Sequence, residues 1–373
     1  MKKIIVICLI MSLLILGCSK EEKQEEQVTM NEVEVTITGI SENQKVILLT
    51  EDTEQSVNNN ETVKILENTM FSLKIADEKK TWTVTNLIAL PNTKIDVSSY
   101  KFGLSEIEQL ISTYGLEHTR AMAWKDMTQW TSITDNFLMN AQGDYMNETL
   151  YEGQLKHIDL DLNSLQMTNT NALTFQAELQ FEERYYLTEE VESLHKGHSH
   201  GEDSTSTETI APHKYTIVFS LVKLEDGWKV DQIDFSTSSL NSANLMSLDV
   251  EAPFFTPTNE AIELAQYHLE YKQISIFLEE FFTEYVKALN FKNIDYISTY
   301  TKGETIFHKK ITEQADSDFV ELLDINIISM DKQSENLFKW NVELLLQKNG
   351  QEMLEKYDFH VSKNDHNYYI MAE

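Results

Sequence analysis

From residue 28 to about residue 98 apolar and polar positions alternate. "VEVTITGI" sets Val33, Val35 and Ile37 on one face and Glu34, Thr36 and Thr38 on the other. "VKIL", "FSLKIA" and "TWTVTNL" keep that period of two, separated by the turn-forming "NNNE", "ADEKK" and "LPNTK". Short strands with turn signals between them predict a small β-sandwich-like domain over 28–100. At Gly103 the period lengthens. Leu104, Ile107, Leu110, Ile111 and Tyr114 fall three and four apart, the stripe of an amphipathic helix, and Trp124, Met127, Trp130 and Phe137 extend the spacing onto shorter helices. Strand patterns follow in "HIDLDLNSLQM", "LTFQAELQFEERYYL", "KYTIVFSLVKL" and "WKVDQIDF". Helices first and antiparallel strands afterwards predict an α+β domain over 101–238.

After a linker and helix-like stretch (239–272) the same order returns in 273–373. Ile276, Phe277, Glu280, Phe281, Tyr285, Ala288 and Leu289 describe a helix, Asp295 to Tyr300 another turn, and strands are expected at 321–331, 337–348, 353–363 and 367–372. The two halves also align directly. Leu160, Met167 and Phe175 meet Leu323, Met330 and Phe338 at an offset of 163, whereas "IVFSLVKLEDGWKV" (217–230) meets "YDFHVSKNDHNYYI" (357–370) at an offset of 140. The difference between 163 and 140 leaves 23 extra residues between the second and third strands of the first copy. The segment 188–211 is therefore an insertion in a hairpin.

Helices followed by a curved antiparallel sheet, with a late strand reading "DGWKVDQIDF", resemble the NTF2-like (cystatin-like) α+β cone fold. In the second copy, "FLEEFFTEYVKALNFKNIDYISTYTKGE" and the strands after it resemble the NTF2-like domain that closes the teicoplanin-resistance-associated (TcaA-like) membrane proteins of low-GC Gram-positive bacteria. The expected fold is α+β: two NTF2-like helix-plus-curved-antiparallel-sheet domains preceded by a small all-β domain. The resemblance implies a non-enzymatic envelope role linked to cell-wall antibiotics. That family's zinc ribbon and membrane-spanning helix have no counterpart in this sequence, and a lipid anchor is expected in their place.

The anchor is read from the first line. Lys2 and Lys3 precede an apolar run from Ile4 to Leu16, followed by "ILGCSK", the layout of a secretory signal over 1–17. Ile15-Leu16-Gly17-Cys18 resembles the lipobox of bacterial lipoproteins, which implies acylation of the Cys18 sulfur and a hold on the cell membrane at its extracytoplasmic face. Residues 18–27 are polar and charged, a flexible tether. Cys8 leaves with the signal, so the mature chain has no thiol pair for a disulfide. The net charge is −31, from 30 basic and 61 acidic residues, which disfavours nucleic acid as a partner.

No GxSxG, HExxH, GxGxxG or P-loop sequence is present, and no enzymatic activity is expected. NTF2-like folds do include isomerases and dehydratases that use Asp, Tyr and His inside the cone, so that resemblance implies Tyr145, Tyr151 and His157 in the first copy and Tyr296, Tyr300 and His308 in the second as site residues. Tyr296 and Tyr300, four apart on an expected helix face, and Trp228, inward-facing after the Asp226-Gly227 turn, are the pocket candidates. "HKGHSHGED" (195–203) suggests a metal site: His195, His198 and His200 with Glu202, Asp203 and the nearby His213 offer imidazole and carboxylate ligands for zinc. The expected function is a lipid-anchored binding or scaffold protein of a Gram-positive envelope, with an envelope protein or cell-wall component as partner and a homodimer through the sheets. A zinc-binding lipoprotein and an enzyme with its site in a cone are the alternatives.

Overall fold

The computed structural model describes residues 31–187, 211–238, 240, 244–314, 319–364 and 367–372. It divides into a first unit ending at Lys101 and a second running from Phe102 to the C-terminus. Residues 1–30, which carry the signal, Cys18 and the tether, lie outside the described residues.

The first unit is all β. Strand β1 (Glu32–Thr38) pairs antiparallel with β4 (Glu61–Leu66) and parallel with β7 (Thr93–Asp96). Strands β2 (Lys45–Leu49), β3 (Glu54–Val57), β5 (Met70–Ala76) and β6 (Thr81–Ile88) pair antiparallel in the order β3-β2-β5-β6. The alternation does what the sequence implies: Val35, Ile37, Leu73, Ile75 and Val84 are fully buried while their neighbours face outward. Burying that apolar face is the main stabilising term of a sheet. Trp82 is buried too, and its indole Nε1 donates to the carbonyl of Tyr100 at 3.1 Å, which ties β6 to the end of the unit.

The second unit runs helix-then-sheet twice. Helix α1 (Leu104–Trp124) buries Ile107, Leu110, Ile111 and Tyr114, as the spacing predicts. It does not continue past Trp124: Lys125 adopts φ 52° and ends the helix, so Met127 and Trp130 sit in an irregular segment before α2 (Asp135–Tyr145). Thr134 caps α2 by accepting from the amide of Phe137 at 3.1 Å. Strands β8 (Thr149–Asp161), β9 (Gln166–Asn169), β10 (Ala172–Leu187), β11 (Ala211–Leu224), β12 (Gly227–Phe235) and β13 (Leu245–Asp249) follow. Antiparallel pairing runs β13-β8-β10-β11-β12, with Leu179 opposite Ile158 and Phe175 opposite Phe219. Gly115 lets α1 lie close on this sheet, since a Cβ there would stand 2.6 Å from Leu155 Cδ2.

The stretches 259–272 and 276–289 form one helix, α3 (Asn259–Phe291), rather than two segments. Glu270, buried in its middle, is paired with Lys332 at 2.7 Å, and this buried acid interrupts the apolar stripe in the sequence without interrupting the helix. After β14 (Thr301–Lys302) and α4 (Ile306–Glu313) come β15 (Val320–Ser334), β16 (Leu337–Lys348), β17 (Gln351–Asn364) and β18 (Asn367–Met371), in the sheet order β14-β18-β17-β16-β15. The offset of 140 carries β11 from 211–224 to 351–364, the span of β17, so the duplication holds at the level of strands. The hairpins differ. In the second copy Asn349 and Gly350, both at positive φ, close β16 onto β17 as a two-residue turn. In the first copy residues 188–210 join β10 to β11, which pair as far as Glu183 opposite Ala211.

Candidate functional site

The first helix-and-sheet domain encloses a cavity of about 430 Å³ between its helices and its sheet. Each wall follows from the period of its element. Helix α1 presents Tyr114, His118 and Met122 at i, i+4 and i+8, and α2 presents Phe137, Asn140, Ala141, Asp144 and Tyr145. The inward alternation of β10 gives Leu179, Phe181 and Tyr185, β11 gives Tyr215 and Ile217, and Asp231, Gln232, Ile233 and Phe235 come from β12. The N-terminus of α2 is pinned to β12 by Thr134, whose hydroxyl donates to Asp231 Oδ1 at 2.8 Å. The loop before it is fixed from α1. The buried carboxylate of Glu117 accepts from the amide and hydroxyl of both Thr131 and Ser132, at 2.6 to 3.1 Å.

Inside, His118 Nδ1 and the Tyr145 hydroxyl are 2.7 Å apart. Burial pushes the imidazole down to about 4, so it is neutral near pH 7. Burial also raises the Tyr145 hydroxyl well above its ordinary range, with the nearby Tyr114 and Asp144 adding to the shift. At the other end Tyr215 donates to Glu183 Oε1 at 2.5 Å. Burial first, and then this bond to a carboxylate, push Tyr215 up to about 12. Glu183 itself is only 2% exposed, on the inward face of β10 between Phe181 and Tyr185.

Among the described residues, side chains pack the centre of the second domain. Helix α4 drives Phe307 into the middle of the layer, where its ring stands 4.9 Å from Phe281 and 5.0 Å from both Tyr285 and Tyr357. Trp340, Phe338, Phe282 and Phe281 are fully buried around it. A smaller cavity of about 180 Å³ lies to one side against Tyr285, Lys310 and Glu355.

Of the residues singled out in the sequence, Tyr145 lines the large cavity. Tyr151 is buried behind it, with its ionisation opposed by burial and by Glu183. His157 points elsewhere, held by Asp249 at 2.8 Å and Asp159 at 3.1 Å across the β8–β13 pair. His308 accepts from the amide of Thr305 at 3.2 Å and stabilises the start of α4. Tyr296 lies in a 3-10 turn, not on an α-helix with Tyr300, because α3 ends at Phe291 and the chain turns at Asn293. Tyr296 stacks on Phe291, Tyr300 packs near Phe277, and neither lines either cavity. Trp228 is buried beside Val230 and is absent from the cavity wall. His195, His198, His200, Glu202 and Asp203 lie outside the described residues. His213 is on β11 with Nδ1 3.2 Å from Glu183. Among the described residues no three His, Cys, Asp or Glu side chains group so as to hold a metal ion. His118 and Glu183 were not singled out in the sequence, and Tyr114 was read only as part of a helix stripe. The i, i+4, i+8 spacing of Tyr114, His118 and Met122 is the signal that marks one wall.

Residues 107–234, which contain every wall of this cavity but Phe235, match the family model described as the YvbJ NTF2-like domain. This domain is NTF2-like. The match falls on the first copy, whereas the resemblance to teicoplanin-resistance-associated proteins was drawn on the second. No curated protein matches. Two solved structures are similar at low identity. The intermembrane space region of the chloroplast protein ARC6 is 14% identical, covers 37% of this chain and 99% of its own, and gives a TM-score of 0.27. An NTF2-like protein involved in plasmid conjugation is 13% identical, covers 71% of this chain and 94% of its own, and gives a TM-score of 0.22. No helix among the described residues is long and apolar enough to cross a membrane.

Proposed function

We propose that this chain is a lipid-anchored, extracytoplasmic binding protein in which the NTF2-like domain holds a small molecule and the domains around it serve as scaffold. The contrast between the two copies carries the reading: one plan is filled by Phe307 and its neighbours, and the other keeps about 430 Å³ open. That volume lies in the range of small-molecule sites, which are concave, largely apolar and furnished with a few polar groups. The polar pair inside, His118 and Tyr145, is mutually bonded and held neutral, an arrangement that suits positioning a ligand rather than moving a proton. The lipobox-like run ending at Cys18 supports attachment to the outer face of the membrane. The likeness of the second copy to teicoplanin-resistance-associated proteins supports an envelope protein or cell-wall component as the partner of the scaffold.

The test uses N-phenyl-1-naphthylamine, a neutral probe whose emission rises in an apolar site. The full chain should give a saturable rise, and Ala141→Trp, which fills the cavity from α2, should abolish it with the circular dichroism spectrum unchanged. A rise that survives in Ala141→Trp, or no saturable rise in the parent, overturns the reading.

A further inference from the structure

The charges around the cavity are of one sign. Among the described residues, Asp144 and Asp231 are the only lining residues that carry a formal charge near pH 7, because no described lysine or arginine lines the wall and His118 is neutral. Lys125 lies beside this region, but its ammonium donates to the carbonyl of Tyr145 and to Asn147 Oδ1, both at 3.2 Å, and takes no part in the wall. An anionic ligand would therefore meet two carboxylates and no counter-charge.

The remainder of the wall is rich in aromatic rings, whose faces carry negative quadrupole density. Tyr114 belongs to this group, with its ring centroid 6.0 Å from that of Phe137. One of the lining rings is further enriched. Tyr215 donates its hydroxyl proton toward the buried Glu183 carboxylate at 2.5 Å, and a phenol polarised in this way returns electron density to its ring. Aromatic faces with nearby carboxylates attract a weakly hydrated cation, and a quaternary ammonium needs no hydrogen-bond acceptor to replace its water. Met122, Leu179 and Ile217 supply apolar surface for the body of such a ligand.

We propose that the cavity is selective for an organic cation with an apolar body and a quaternary-ammonium-like head. This rests on the reading of the cavity as a small-molecule site and adds the charge class of its ligand.

The experiment is displacement of N-phenyl-1-naphthylamine from the full chain by three compounds of similar size: phenyltrimethylammonium, its uncharged carbon isostere tert-butylbenzene, and benzenesulfonate. The cation should compete at least about fivefold better than the isostere, and the sulfonate worst of all. In Asp144→Asn/Asp231→Asn the advantage of the cation should shrink, while the isostere competes as before. Asparagine at 231 keeps an oxygen for Thr134, and Asp144→Asn alone, at an exposed position, repeats the comparison with no burden on folding. An isostere or sulfonate equal to or better than the cation overturns the cation assignment and leaves the small-molecule site standing. A cation advantage that is undiminished in the double variant overturns it also. A parent protein that never binds the probe sinks both.

Discussion

The imidazole of His118 and the hydroxyl of Tyr145 meet at 2.7 Å across 27 residues of sequence, joining α1 to the end of α2 inside the cavity. Burial of that imidazole makes stability depend on pH. The folded pKa of His118 is pushed down to about 4, against 6.5 for the unfolded chain, so the unfolded chain takes up the proton first as pH falls. The stabilisation is complete above about pH 6.5 and is lost progressively toward pH 4, roughly 2 to 3 kcal/mol by pH 4.5. Urea unfolding between pH 7 and pH 4.5 should show this loss in the parent and a shallower one in His118→Phe. Parallel slopes in the two proteins would refute the account.

Glu117 is the residue on which the loop between α1 and α2 depends. Its carboxylate is buried and accepts from both backbone and side chain of Thr131 and Ser132, and Ser132 in turn bonds Val230 on β12. Glu117→Ala leaves the amide and hydroxyl of the buried Ser132 without this acceptor, together with those of the more exposed Thr131, and should destabilise the second unit by about 3 kcal/mol, read from chemical unfolding. Glu117→Gln keeps one acceptor oxygen and should lose less. Equal, small losses in both would mean that the loop is held by other contacts.

The strands of the first unit were legible because a period of two follows directly from the pleat: Val33, Val35 and Ile37 are inward because their neighbours are outward. The repeated order of strands was legible from the recurring apolar pattern, but the pairing register was not: Phe175 faces Phe219, whereas Phe338 faces Val361, two residues beyond the position that the offset of 140 gives. The continuity of α3 was not legible, since Glu270 and its partner Lys332 satisfy each other from elements about 60 residues apart, 62 by sequence. The cavity was illegible for a related reason. It is made by what α2 leaves open at Ala141, whereas α4 fills the corresponding space with Phe307, and an absence between five elements leaves no local pattern.

Attachment to the membrane is testable at one atom. If the Cys18 sulfur carries the lipid, cells given labelled palmitate should label the parent protein and not Cys18→Ser, and the variant should leave the membrane fraction. Label in the variant, or retention of both proteins in the membrane, would assign the anchor elsewhere.

The insertion should be dispensable for the fold. Strands β10 and β11 pair as far as Glu183 opposite Ala211, and removing 188–206 leaves four residues of sequence on either side of the new turn, 184–187 and 207–210. The second copy closes the corresponding hairpin with Asn349-Gly350. Replacing residues 188–206 by Asn-Gly should therefore preserve the pairing and shorten the closed loop, which lowers its entropy cost. The shortened protein should unfold at the same urea concentration as the parent or a higher one, and should bind N-phenyl-1-naphthylamine with unchanged affinity. A drop in either would mean that the segment supports the cavity. The same two proteins test the metal reading of His195, His198 and His200, because zinc binding that disappears with the segment assigns the metal to it, and equal weak binding by both removes that assignment.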